Sequence, residues 1–176
     1  MRAIIILVLG CWSSLTGAEI LLCTGGDIPG GATLAGYQGC TTVSHYQEGV
    51  DRGATVSGSG AQQGNPEFAD ISLTRTFDIS SNALRAAAIN GTPRDWSLRF
   101  VSTGCGSQAL EYQRIDLTNA AVTAYSAGST DTTLPTETIS LSFTAVRYIQ
   151  TVYDQTCQVA DTFSFGWDRV GLSVIP

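Results

Sequence analysis

Apolar and polar residues alternate with period two along most of this chain, the mark of strands with one face packed and one face wet. A first strand is predicted over Glu19 to Thr24, ended by the turn-forming string "GGDIPGG", and a second through "GCTTVSHYQEG". A third lies in "EFADISLTRTFDIS", with Ile71, Leu73, Phe77 and Ile79 on one face and Ser72, Thr74, Thr76 and Asp78 on the other. The period then changes. In "SSNALRAAAINGT", Leu84, Ala87 and Ala88 form a narrow helical stripe, and Ser80 or Ser81 is placed to cap the first turn through its side chain. Asn90-Gly91 supplies the stop, and Pro93 cannot continue the helix. Strands resume in "DWSLRFVST", "ALEYQRIDL", "AAVTAYSAG" and "DTFSFGWDRVGLSVI". The longest alternation, "PTETISLSFTAVRYIQTVY", reads as one extended strand from Pro135 to Tyr153. It has Ile139, Leu141, Phe143, Ala145 and Ile149 on one side and Thr138, Ser140, Ser142 and Thr144 on the other.

One segment has no such pattern. Val50 to Pro66 is glycine-rich without apolar periodicity and predicts a long flexible loop, the kind that in a small domain is usually functional or disordered. No repeat, charge block or linker divides the rest. The pattern predicts one compact all-β domain with a single helix.

The first residues stand apart. Arg2 precedes an apolar run from Ala3 to Leu9, and Thr16-Gly17-Ala18 offers small residues for cleavage before Glu19, so residues 1–18 are expected to be a secretory signal peptide. A second reading takes Val8-Leu9-Gly10-Cys11 as a lipobox with Cys11 lipidated. Both readings export the chain, to the periplasm or the extracellular medium. No later segment approaches the roughly 18 apolar residues that a membrane span requires.

Without Arg2, eight arginines face fifteen acidic residues, a formal net charge of −7, and there is no lysine. Phosphate backbones would repel such a chain, so a nucleic-acid partner is not expected. Loss of Cys11 with the signal leaves Cys23, Cys40, Cys105 and Cys157, an even number in an oxidising compartment, which predicts two disulfides among three connectivities. Cys23 and Cys40 fall in successive strands and are paired by proximity, leaving Cys105 with Cys157. In the chain-entropy description these closures contribute about 3 and about 4 kcal/mol. A zinc site would need CxxC- or CxxH-like spacing, which is absent.

Catalytic chemistry finds little support. His45 is the only histidine, no G-x-S-x-G elbow accompanies a serine, and the lack of lysine removes Ser–Lys and Walker chemistry. Glu111 and Glu137 would make a glycosidase pair only if folding brought them together. Phe163, Phe165 and Trp167 alternate and are expected in the core. No catalytic, cofactor or metal residue is assigned.

Four strings, in fixed order, resemble the Hcp family of type VI secretion tube proteins. They are "NPEFADISLTRTFDISSNALRAAAINGT", "EYQRIDLTNAAVTAYSAG", "PTETISLSFTAVRYIQTVY" and "GWD" at Gly166 to Asp168. The resemblance implies a small two-sheet β-barrel with one flanking α-helix over residues 19–176. It further implies a non-enzymatic structural role in which six copies close into a ring, rings stack into tubes, and the channel can hold protein cargo. The family's extended loop, which contacts a neighbour, falls on Val50, Asp51, Arg52, Gly58, Gly60, Gly64 and Pro66. A signal peptide, four mature cysteines and the absence of lysine depart from the family pattern. The alternative expectation is a monomeric extracellular binding module built on the same barrel.

Overall fold

The computed structural model describes residues 17–57, 60–105, 108–130 and 134–175, without the side chains of 55–62 and 105. The expected signal segment and Cys11 therefore lie outside the described residues, except that Gly17 and Ala18 already pair with Thr103 and Ser102. Twelve strands and one helix follow in order: β1 (Gly17–Cys23), β2 (Thr41–Val43), β3 (His45–Gln47), β4 (Val50–Ser57), β5 (Gly60–Phe68), β6 (Ile71–Thr76), α1 (Ser81–Asn90), β7 (Arg94–Cys105), β8 (Gln108–Gly128), β9 (Thr136–Ser142), β10 (Ala145–Tyr153), β11 (Val159–Asp168) and β12 (Ser173–Ile175).

One run of strands is ordered β12-β11-β10-β8-β7-β1-β2, and a second layer runs β3-β6-β9-β8. The layers share β8 on one side. On the other side β2 passes directly into β3 at Ser44, whose N–H and hydroxyl both donate to the Thr74 carbonyl. The result is a closed two-layer β-barrel with α1 on its flank and β10–β12 extending from it as a wing. Leu22, Leu73, Leu98, Ile115, Leu117, Ile139 and Leu141 fill the interior with almost no exposure. Burying side chains of that size contributes about 1.5–3 kcal/mol each. A smaller apolar cluster of Leu21, Ala32, Cys40 and Val101 lies on the outer side of β1 and β7, where the segment between β1 and β2 covers it.

Three expectations about strands are corrected. Pro135 to Tyr153 is two strands, because Phe143 and Val146 both reach the core, a step of three that period two does not allow. The chain turns at Thr144, whose N–H and hydroxyl donate to the Thr118 carbonyl, so β9 joins one layer and β10 the other. Conversely, "ALEYQRIDL" and "AAVTAYSAG" belong to one 21-residue strand, β8, which bends at Asn119 (φ 50°). Asn119 tolerates that left-handed conformation, and its N–H donates to Asp95. The predicted loop at 50–66 is a two-stranded arm, β4–β5, paired from Val50–Phe68 to Ser57–Gly60 with a register shift between Arg52 and Ala54. Its described residues are mostly exposed, so no apolar alternation advertised a ladder held by main-chain hydrogen bonds.

The helix ends as expected, with Gly91 left-handed (φ 61°) and its N–H donating to Ala87. Its start differs: neither serine caps it. Both hydroxyls are buried and turn inward to charged partners. Ile79 is 73% exposed rather than inside.

Candidate assembly surface

The wing carries barrel-interior residues out into solvent. Across β8, β10 and β11 the register aligns Leu117–Val146–Trp167, then Ile115–Tyr148–Phe165, then Gln113–Gln150–Phe163. The first row is core or packed against it. Moving outward, Phe165 is 50% and Phe163 56% exposed, which corrects their expected place in the core. Only Trp167 of that trio packs against the interior. Tyr148 stands between, half-buried, and donates its hydroxyl to Glu48 at 3.0 Å. Burial and the nearby Glu48 charge push its pKa up, so it is a neutral donor at physiological pH.

The "GWD" string fixes this edge. A Cβ at Gly166 would lie 2.6 Å from Ile175 Cγ1, so only glycine lets β12 pack across β11. Asp168 accepts the N–H groups of Val170 and Gly171, closing the turn between the two strands.

The β4–β5 arm meets the wing from the other side. Val50, Arg52, Pro66 and Phe68 line an open apolar cleft of about 560 Å³ with Glu48, Tyr148, Phe165 and Trp167. A second cleft of about 260 Å³ shares Tyr148 and Phe165 and adds Phe163. Of the residues assigned to a neighbour-contacting loop, Val50, Arg52 and Pro66 thus reach the cleft. Asp51, Gly60 and Gly64 sit on the arm away from its lining, and Gly58 lies outside the described residues. Pro66 pairs with Arg52 in a strand with a free edge, where its missing N–H costs nothing.

Two polar constellations lie elsewhere. Arg75 and Glu137 face each other across β6 and β9, fully buried, with Arg75 NH1 2.9 Å from Glu137 Oε1. Arg75 also pairs with Asp78, while Ser81 and Tyr125 donate to Glu137. Burial alone would raise the Asp78 pKa, but hydrogen bonds from Ser80, Arg75 and the Gly31 amide hold it below the usual carboxylate value. This group ties the start of α1 to the barrel. Sequence reading missed it, although the signal was present: Arg75 interrupts the apolar face of Ile71, Leu73 and Phe77, and Glu137 that of Ile139 and Leu141. On the outer face, Glu111 pairs with Arg99 at 2.9 Å and accepts from Tyr37, whose hydroxyl pKa burial and the Glu111 charge push up to about 12. Glu111 and Glu137 therefore serve separate networks. His45 is exposed on β3. Among the described residues no group of three or more His, Cys, Asp and Glu is arranged to hold a metal, and no helix is long and apolar enough to cross a membrane.

Cys23 and Cys40 are joined, closing the segment between β1 and β2. Cys157 is also disulfide-bonded, and the expected partner side chain, Cys105, is outside the described set.

A closed barrel, a wing with exposed aromatic side chains and a projecting two-stranded arm define an all-β domain with one helix. A family model described as "Type VI secretion system effector, Hcp" matches residues 21–149, well over half of the chain. This chain belongs to the Hcp family. No curated protein matches it by sequence. Among solved structures, a type six secretion system protein superposes with a TM-score of 0.82 at 18% identity, covering 90% of this chain and 100% of the other. Hcp1 from Salmonella typhimurium gives 0.74 at 19% identity, over 90% and 99%. A type VI secretion system effector from Yersinia pestis gives 0.67 at 18%, over 85% and 98%. At these identities the likeness is one of fold.

Proposed function

We propose that this chain is an exported Hcp-type tube protein. After removal of residues 1–18, the barrel of residues 19–176 closes with five further copies into a ring, and rings stack into a tube whose channel receives protein cargo. Its role is structural, carried by contacts rather than by bond making. In the oxidising compartment Cys105 pairs with Cys157, as Cys23 does with Cys40.

The observation that supports this most is the run Trp167–Phe165–Phe163, which leaves the core and continues into water beside the apolar cleft of the arm. A contiguous exposed apolar face is a contact surface in search of a partner. A stable ring contact buries about 800 Å² per partner, and wing and arm together provide two surfaces for a head-to-tail closure.

The test is light scattering on the mature chain under non-reducing conditions. Hexameric mass is expected, and Phe165→Arg should return the monomer without changing the circular dichroism spectrum. A monomeric mass for the unaltered chain at high concentration refutes ring formation and leaves a monomeric extracellular binding module. Mass spectrometry of the exported material decides the N-terminus: Glu19 free, or Cys11 acylated.

A further inference from the structure

Among the described residues the β4–β5 arm pairs with no strand of the barrel. Its covalent tethers are short, closed at the base by the Ala69 N–H donating to the Gly49 carbonyl. Phe143 packs its ring against Phe68 at that base, and one charged side chain of the body hydrogen-bonds to it. Arg169, in the turn after β11, donates from Nη1 to the Phe143 carbonyl at 2.8 Å and from Nη2 to the Phe68 carbonyl at 3.2 Å. Its guanidinium carbon lies 4.8 Å from the centre of the Phe143 ring and 5.9 Å from that of Phe68. Those rings meet edge to face at 6.0 Å. The Arg169 N–H also donates to the Thr144 carbonyl.

Three segments therefore meet at one guanidinium: the last residue of the arm, the junction where the chain passes from β9 to β10, and the turn that leads to β12. A planar fork donates to the two carbonyls from separate nitrogens while stacking on the rings, whereas an ammonium offers three donors from one compact nitrogen and has no plane to stack. We infer that Arg169 is the latch that sets the angle of the arm against the wing, and so holds open the cleft between Phe68 and Phe165. It is a positioning residue for assembly. The inference rests on the ring reading only for its consequence, since arm placement is measured on the isolated subunit.

The experiment is hydrogen–deuterium exchange of the dilute mature chain, read by mass spectrometry, in Arg169→Lys and Arg169→Ala. Peptides covering 49–54 and 63–69 should exchange about tenfold faster in both variants, with β6 and the interior half of β8 unchanged, because local opening is governed by local contacts. Failure of lysine to rescue is the signature of the two-carbonyl bridge. Phe68→Leu, which removes one aromatic wall and leaves both carbonyls, should give a smaller rise in the same peptides. Both Arg169 variants should also reduce assembly. Wild-type exchange in the arm for Arg169→Lys, or acceleration spread evenly over arm and barrel in all three variants, overturns the latch. A monomeric wild type would refute the ring while leaving the exchange result to decide Arg169.

Discussion

Glu137 and Arg75 are charged residues placed where their strands otherwise present leucine and isoleucine, and each is the other's compensation. Removing Glu137 takes from the buried Arg75 its one fully buried counter-charge and leaves only the partly exposed Asp78 to balance it. Glu137→Leu should therefore lower stability by about 3–5 kcal/mol in urea unfolding, and Arg75→Met in the same chain should recover most of the loss. Asp78, at the edge of the group, gives a pH dependence. Its folded pKa lies below the unfolded value near 3.9, so its contribution is fully present above that value and lost as pH falls through the folded pKa. The urea midpoint should drop below about pH 4, and Asp78→Asn should flatten that part of the profile. A slope unchanged by Asp78→Asn would locate the titration elsewhere.

Among the elements, the segment between β1 and β2 that covers the small apolar cluster depends most on sulfur. Gly30 and Ala32 donate their N–H groups to the Gly39 and Cys40 carbonyls, and the Cys23–Cys40 bond closes the loop at its ends. Replacing both cysteines by serine should cost about 3 kcal/mol by loss of that closure, read as a shift in thermal midpoint under non-reducing conditions. This pairing was legible because Cys23 ends β1 and Cys40 immediately precedes the adjacent β2. The helix was legible too, since its period and its Asn90-Gly91 stop are local signals. What the pattern concealed was tertiary. The change of phase between Phe143 and Val146 looks like one continuing strand until two layers compete for its halves. The arm was hidden for the opposite reason: its described side chains are mostly exposed, so its ladder carries little apolar alternation. Phe163 and Phe165 looked like core because hydrophobicity records a need for burial and says nothing about whether the cover comes from the same chain.

At the level of the molecule, family and fold class were readable from the order of four strings, whereas the cleft between arm and wing was not, because its lining comes from segments about a hundred residues apart. Calorimetry on the disulfide-intact subunit should give one transition, with van't Hoff and calorimetric enthalpies in agreement. Two resolved transitions would mean that the layers melt separately. The reason to expect one is β8. Residues 108–118 of that strand are hydrogen-bonded into one layer and 121–128 into the other, so a single uninterrupted backbone is the common axle of both. A cut within β8 would take from each layer the strand that joins it to the other, so neither layer could be kept while the other is lost.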